Sequence, residues 1–288
     1  MPILSNIIKS ISSKTIRSAP FSGYIGDAAP SLVLDSLSPA AAYSPARQIL
    51  TAYSGPLIRV RRASDNVEQD FGFDVDGNLD VAAIVTFCGA AVGFITTMYD
   101  QANGHHVSNA EAAKQWRIYT GAAIYTKNSK PAAFSSTGSA YMKVTNGFTY
   151  TALSSCNVVQ LSLANTAVYQ FGAVNGGGSM VFNTSMKLLA NSGQAQASTA
   201  FATGTWRQLA GTITPAQRRI WGDGVEGTPG VQASTLSGTN VGLHVGALAV
   251  GVYGAAGYFG DQVFFTREIS DAERIAISND QKAFYGTP

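Results

Sequence analysis

Short runs in which apolar and polar residues alternate dominate the second half of the chain. This period of two is typical of β-strands that bury one face. In the first half the same pattern predicts strands at 57–62 and 94–99, while 81–87 form a short apolar run. In the second half it predicts strands at 139–144, 158–163, 167–171, 178–182, 208–213, 218–221 and 242–246.

Turn-forming dipeptides separate the strands, and two segments favour short helices. One helix is predicted at 41–50, where Ser44-Pro45 would start it, and one at 271–277, where Ser270 and Glu273 form a capping-box pattern. No repeat of fixed period is present, which excludes a propeller or solenoid. The predicted turns are Asn146-Gly147, Asn175-Gly176, Asp223-Gly224 and Ser237-Gly238.

Composition favours an all-β protein. Only 12% of residues are charged, too few for the polar faces of long amphipathic helices, and Gly is abundant. The formal net charge of +2 gives no basic cluster for nucleic acid, and no apolar run reaches the length of a membrane span.

The chain is predicted to consist of an N-terminal arm and one domain. Residues 1–40 lack periodicity, so we expect an arm or attachment segment there, with a β-sandwich at 41–288. The first apolar residues precede Lys9, Lys14 and Arg17, the reverse of the order in a signal peptide. No secretion signal is therefore predicted.

Two sets of segments resemble known families. The stretch from Ala42-Tyr43-Ser44 to Asn66, Phe87-Cys88 and 95–106 together resemble the start of the catalytic domain of fungal arabinofuranosidase B enzymes, a module that phage structural proteins also carry. The segments 205–210, 220–224, 257–265 and 269–274 resemble the concanavalin-like, laminin-G-like jelly roll. The resemblances imply a jelly-roll β-sandwich of two antiparallel sheets.

The arabinofuranosidase resemblance implies a retaining hydrolase, which needs two carboxylates about 5 Å apart. The family's nucleophilic Glu would fall near 169–182, and its acid/base Asp near 246–256. No Asp or Glu occurs between Glu111 and Asp223, and none occurs at 246–256. The residues left to rebuild a site are Asp100, Asp223, Glu226 and Asp261. No catalytic residue is therefore assigned, and the protein is predicted not to be an enzyme.

Other site chemistry is sparse. His105-His106 would point in different directions and His244 is remote in sequence, so no metal site is predicted, and no cofactor. The acidic stretch 74–80 is interpreted as a solvated turn rather than a calcium loop. Cys88 and Cys156 are expected to be buried thiols, although a disulfide between them stays open. The resemblance places Gly93 where the family has the disulfide partner of Cys88.

Glycan recognition is the favoured hypothesis for the surface. The loop at 100–105 concentrates amide and carboxylate groups that suit hydroxyl recognition, and Trp221 could stack on a sugar ring. A purely structural interpretation stays open for both features: the loop would be a turn, and Trp221 would be a core side chain. The candidate glycan-binding residues are Tyr99, Asp100, Gln101, Asn103, His105, Trp221 and Asp223.

Together these features predict a non-catalytic virion protein of a phage, such as a fibre, spike or decoration protein, located in the virion. Its expected partners are other virion proteins, contacted through residues 1–40, and a host surface polysaccharide. A homo-oligomer, a trimer in our interpretation, would strengthen weak glycan binding through multivalency. The alternatives are an arabinofuranosidase-like glycoside hydrolase acting on surface polysaccharide and a decoration protein without a ligand.

Overall fold

Antiparallel pairing of the alternating segments builds two stacked layers of strands. The computed structural model describes residues 31–136, 138–163, 166–172, 178–182, 185–190, 197–231, 236–248 and 254–288. Its helices are α1 (Val81–Cys88) and α2 (Asp271–Tyr285). Its strands are β1 (Ala41–Tyr43), β2 (Ile58–Arg62), β3 (Glu68–Phe71), β4 (Gly93–Met98), β5 (Val107–Ser108), β6 (Trp116–Tyr119), β7 (Thr126–Lys127), β8 (Lys130–Pro131), β9 (Ala133–Ser135), β10 (Met142–Tyr150), β11 (Leu153–Leu161), β12 (Thr166–Phe171), β13 (Gly178–Phe182), β14 (Met186–Ala190), β15 (Ala197–Thr199), β16 (Arg207–Ile213), β17 (Gln217–Gly222), β18 (Val225–Glu226), β19 (Gly230–Val231), β20 (Gly238–Val245) and β21 (Gly257–Phe265).

The pairings separate the strands into a first and a second layer. In the first layer β21 pairs with β1, β9 and β11, and β11 continues to β16 and β17. The second layer runs in the order β3–β2–β4–β5–β10–β20–β12–β13–β14–β15. Strand β6 pairs with both β4 and β9, so it joins the layers at one side. The predicted all-β sandwich with short helices is confirmed.

Aromatic side chains from both layers meet in the space between them. Tyr169 and Phe171 of the second layer contact Phe264 of the first, with ring centroids 5.0 and 5.5 Å apart. Trp116 stacks on Phe259 at 4.3 Å. All five rings are almost fully buried, so this aromatic core holds the layers face to face.

Helix α2 covers the other side of the first layer. Ser270 caps it and forms the predicted capping box with Glu273, and the helix extends past the predicted end at 277 as far as Tyr285. Buried Ile277 packs with Cys156 and Val263 on the strands beneath. The molecule therefore has three layers: helix, first layer and second layer.

A buried ion pair links the segment after β1 to this helical layer. Arg47 donates to Asp261 of β21 (2.7 Å) and to Asp280 of α2 (2.5 Å). Asp261 also accepts from Tyr285 Oη (2.7 Å), and Phe284 stacks on the guanidinium. Burial alone would lower the pKa of Arg47, but the two carboxylates hold it above its usual value.

The predicted helix at 41–50 is wrong. Ala41–Tyr43 form β1, paired with β21, and Ser44 Oγ then accepts from the backbone N–H of Ala46 and Arg47 in a turn. Strand pairing and the buried Arg47 contacts outweigh the local helical preference. The apolar run at 81–87 forms α1, capped by Asp80.

The predicted turn at Asn146-Gly147 is also wrong, because both residues lie inside β10. The pairing with β20 is irregular there, and Gly147 has φ +116°. A Cβ at Gly147 would lie 2.6 Å from the His105 ring, so the position needs glycine. The Asp223-Gly224 hairpin is confirmed, whereas Asn175-Gly176 lies outside the described residues.

The remaining local predictions concern loops, thiols and the N-terminal arm. Asp74 Oδ1 accepts from the backbone N–H of Asp76 and Asn78, so the acidic stretch is a turn, as predicted. Cys88 and Cys156 are buried, unpaired thiols. Within the described residues no helix is long and apolar enough to cross a membrane. Residues 31–40 contain a short 3-10 helix at Val33–Ser36; most of the predicted arm lies outside the described residues, and its boundary at 40 stays a prediction.

Gly93 occupies a position from which a cysteine could reach Cys88. A Cβ built there lies 3.0 Å from Cys88 Sγ, which matches the roughly 3 Å that a disulfide imposes between these atoms. We expect Gly93→Cys to oxidise with Cys88 and to raise the free energy of unfolding by about 2 kcal/mol. Thiol counting under denaturing conditions checks this, with Gly93→Cys, Cys88→Ser as the control. Two free thiols at these positions after oxidation would contradict the geometry.

The buried ion pair gives a second prediction. Asp261→Asn removes the buried anion beside Arg47, so we expect the free energy of unfolding to fall by about 3 kcal/mol. The matched control is Asp65→Asn, which removes an exposed partner of Arg62 and should cost less than about 1 kcal/mol. Urea unfolding measures both variants. Equal, small losses would show that Asp261 contributes no more than a surface carboxylate.

Candidate functional site

The strand register places a row of polar side chains across the second layer, on the face turned away from the core. Directly opposite residues of antiparallel strands share a face, so each pair in the register extends the row by one strand. We call this side the outer face. Its central row consists of Asp70, Arg59, Thr97, Ser108, Lys143, His244, Gln170 and Ser179.

Lys143 and His244 form the middle of the row. They lie opposite each other on β10 and β20, and the Tyr141 ring is 5.9 Å from each. Burial, together with the positive charge of Lys143, lowers the pKa of His244 to about 4. His244 Nδ1 is buried without a hydrogen-bond partner among the described residues. The imidazole is therefore neutral at ordinary pH and keeps an unused hydrogen-bonding nitrogen.

Carboxylates occupy the β3 edge of the outer face. Arg59 binds both oxygens of Asp70 (2.6 and 2.9 Å), and Tyr99 Oη donates to the same carboxylate (2.7 Å). The hydrogen bond from Arg59 lowers the pKa of Asp70, while burial raises that of Tyr99 to about 12. Glu68, two residues before Asp70 on the same face, accepts a hydrogen bond from the Thr96 hydroxyl (3.2 Å).

The predicted loop at 100–105 lies beside a cleft of about 680 Å³. Asp100 is 2% exposed and accepts from the backbone N–H of Ala42, Ala102, Asn103 and His105, so it shapes the loop. The cleft is of a size that suits a small ligand. Its lining includes Asp35, Gln101, Asn103, His105, Phe148 and Arg267.

Several predicted loop residues contact their own chain at this cleft. Gln101 binds Ile49 N and Arg47 O, using both ends of its amide. Asn103 donates to the carbonyls of Pro39 and Ala40. His105 packs against Phe148, with ring centroids 4.5 Å apart. The structure thus brings Gln101, Asn103 and His105 together, and their glycan-binding role stays a prediction.

Trp221 and Asp223 lie elsewhere, on the first layer. The Trp221 ring is 3% exposed and lies 4.6 Å from the Arg219 guanidinium carbon and 4.3 Å from that of Arg274. Asp223 pairs with Arg207 and accepts from Gln208 N. Both belong to the β16–β17 side under α2, so the predicted set does not form one site.

The four acids considered for a rebuilt catalytic site are already bound within the protein. Asp100 and Asp261 are buried, Asp223 pairs with Arg207, and Glu226 pairs with Arg219 (2.7 Å). No two of them meet on the outer face. No group of three or more metal-ligating side chains occurs within the described residues, and His106 Nδ1 accepts from Asp100 N.

Sequence reasoning missed Lys143, Gln170 and Ser179, and it considered His244 only as a metal ligand and rejected it. Each lies in a strand that the pattern did predict. Their common face depends on the register of β10, β20, β12 and β13, which come from distant parts of the chain. Period-two alternation gave the only available signal, because polar positions opposite an apolar stripe must share the outer face.

Comparison with known proteins identifies fungal relatives. The chain is 39% identical over 72 residues to a probable alpha-L-arabinofuranosidase B of Aspergillus clavatus, which covers 24% of this chain and 14% of that protein. It is 37% identical over 71 residues to the alpha-L-arabinofuranosidase of Hypocrea jecorina, with the same coverage. The chain thus matches only a small part of these relatives.

Solved structures show the same fold. A GH54 α-L-arabinofuranosidase soaked with a cyclic sulfate inhibitor has a TM-score of 0.67 and 14% identity, covering 84% of this chain and 62% of that one. An arabinofuranosidase complexed with arabinofuranosyl-α-1,2-xylobiose has a TM-score of 0.66 and 15% identity over the same shares. At this identity the likeness establishes the β-sandwich.

These relatives correct the predicted biological setting. They are arabinofuranosidases of fungi, so the predictions of a non-catalytic phage protein and of a virion location are wrong. The resemblance to the arabinofuranosidase B domain is confirmed, whereas its phage context has no support. The alternative of a glycoside hydrolase is the better reading of the sequence.

The predicted absence of an enzyme is overturned by the family. Residues 36–233, more than half of the chain, match the family model described as "Alpha-L-arabinofuranosidase B, catalytic". This range contains strands β1 to β19, and therefore most of the outer face. The absence of Asp and Glu between Glu111 and Asp223 limits which residues can be catalytic. It does not change the family to which residues 36–233 match. The chain belongs to the alpha-L-arabinofuranosidase B catalytic-domain family.

Proposed function

We propose that the protein is a glycoside hydrolase that removes α-L-arabinofuranosyl groups from a polysaccharide bound across the outer face. The observation that carries this proposal is the family match over residues 36–233, because those residues build most of that face. A solved neighbour, a Glu-to-Gln variant of a GH54 α-L-arabinofuranosidase, was soaked with 4-nitrophenyl α-L-arabinofuranoside, which supports the substrate class.

The central row suits an extended carbohydrate. With strands about 4.8 Å apart, the row is roughly 30 Å long, enough for several sugar units rather than one. Thr97 and Ser108 supply hydroxyl groups between Arg59 and Lys143 on the exposed part of the row, whereas Gln170 and Ser179 at its far end are buried.

Glu68 and Asp70 are the carboxylates that we assign to hydrolysis. Same-face positions on a strand lie roughly 7 Å apart, which matches the carboxylate separation of inverting glycosidases and exceeds the roughly 5 Å of the retaining enzymes that the resemblance implies. Asp70 is kept ionised by Arg59, which suits a general base, whereas Glu68 forms no salt bridge with a described residue and suits a general acid. Glu68 would protonate the leaving oxygen as the glycosidic C–O bond breaks, and Asp70 would take a proton from the water that attacks the anomeric carbon.

Substitution of these carboxylates tests the assignment. We expect Glu68→Gln and Asp70→Asn each to lower kcat by about 100-fold or more on 4-nitrophenyl α-L-arabinofuranoside, measured by release of nitrophenol. Asp65→Asn, in the turn between β2 and β3, is the matched control and should keep full activity. A wild-type protein that releases no arabinose from this substrate or from arabinoxylan contradicts the proposed hydrolase. Full activity in both variants contradicts the assignment of the two carboxylates.

The protonation of His244 gives a separate prediction. Its pKa is about 4 in the folded protein against an ordinary value of 6.5. Between these two pH values the unfolded chain therefore binds a proton at His244 that the folded protein does not bind. The corresponding stability is complete above pH 6.5 and is lost as the pH falls toward 4. We expect an NMR titration midpoint near pH 4 for the resonance that His244→Gln removes, and a flatter pH dependence of unfolding in that variant. A midpoint near 6.5 would show that the ring is solvated.

A further inference from the structure

A second row on the outer face surrounds one aromatic ring with two arginines. Arg61 of β2, Phe94 of β4 and Arg117 of β6 lie directly opposite one another in the register. The guanidinium carbons of Arg61 and Arg117 are 4.8 and 5.6 Å from the centroid of the Phe94 ring. The cluster lies beside Glu68, which is opposite Arg61 on β3.

Neither guanidinium is neutralised by a carboxylate in the described part of the chain. Arg61 donates to Gln115 Oε1 (2.8 Å) and Asn66 Oδ1 (2.7 Å), both neutral groups, and makes no ion pair there. Arg117 contacts the Phe94 ring and forms no salt bridge with a described residue. Elsewhere on the molecule arginines pair with acids, as Arg59, Arg62 and Arg219 do.

The surrounding contacts hold Arg61 in place. Gln115 is 7% exposed, and its Nε2 donates to Asn109 O (2.9 Å), which fixes the oxygen that Arg61 binds. A guanidinium held by neutral acceptors keeps its full positive charge. Such a group needs little ordering to bind an anion, because its geometry exists beforehand.

We propose that Arg61, Phe94 and Arg117 bind the carboxylate of a uronic acid unit on the polysaccharide substrate. This rests on the proposed function, since it names the class of polymer, an arabinofuranosyl-bearing chain that also carries uronic acids. Charge complementarity carries the assignment, because the guanidinium groups match a carboxylate and the Phe94 ring offers an apolar surface to a sugar. Lys143, on the central row, adds a further cation without a salt bridge to any described residue.

Binding to matched polymers tests the anion site without requiring catalysis. The probes are glucuronoarabinoxylan and the same polymer after carboxyl reduction, with affinity measured by calorimetry at low salt and at physiological salt. We expect wild-type protein to bind the native polymer about tenfold more tightly, with a smaller preference at higher salt. The preference should disappear in Arg117→Gln and Arg61→Gln. The control Lys282→Gln removes the same charge from α2, on the far side of the sandwich, and should keep it.

The outcomes separate this inference from the proposed function. Equal affinity of the wild-type protein for both polymers overturns the anion site, and so does a preference that persists in the two arginine variants. Partial recovery of the preference in Arg117→Lys, which keeps the charge but not the planar fork, supports it. A protein that prefers the native polymer but releases no arabinose contradicts the hydrolase and supports the anion site. Release of arabinose without a preference overturns the anion site alone.

Discussion

The buried pair between Arg47 and Asp261 determines which side of the sandwich is available to a ligand. It joins the segment after β1 to β21, and through Asp280 it holds α2 against the first layer. Because taking both charges out of water is costly, the pair is tolerated only where further hydrogen bonds, such as that from Tyr285, satisfy the carboxylate. With α2 on the first layer and the aromatic core between the layers, the part of the outer face from β3 to β10 is the strand surface left for binding, because Gln170 and Ser179 further along the row are buried.

Polar residues on that face follow from the core beneath it. Strands β10, β12 and β20 direct Met142, Tyr169 and Val245 inward, so Lys143, Gln170 and His244 must point outward. The alternation is therefore required for packing of the core, and the polar outer face is its consequence. The cleft near His105 has a different origin, since its loop is held by the four backbone bonds of Asp100 and its polar side chains are used locally.

The sequence predicts strand positions well because alternation is local, and it predicts the site poorly because register is not. The capping box at Ser270 and the hairpin at Asp223-Gly224 were readable from short patterns. The helix expected at 41–50 failed because pairing with β21, more than 200 residues away, decides that segment. The same limit hid Arg61, Phe94 and Arg117, which come from three separate strands and meet only across the sheet. The composition of the loop at 100–105, rich in amides and carboxylates, predicted a binding site there instead, although those groups stabilise the loop itself.

The long stretch without acidic residues affects the charge of the outer face in the folded chain. Between Glu111 and Asp223 the sequence supplies Arg117 and Lys143 but no carboxylate to pair with them. Both side chains lie on the outer face, while Glu68 and Asp70 lie together at its β3 edge. The acidic edge is directly flanked by Arg59 and Arg61 of β2, which lie opposite Asp70 and Glu68, and Arg117 and Lys143 extend the positive charge to β6 and β10. A neutral polymer gains nothing from this positive charge, whereas the carboxylate-bearing polymer proposed above would be attracted by it. Under the proposed anion binding, the stretch without acids contributes this positive charge, because no carboxylate from the same part of the chain is available to pair with Arg117 or Lys143.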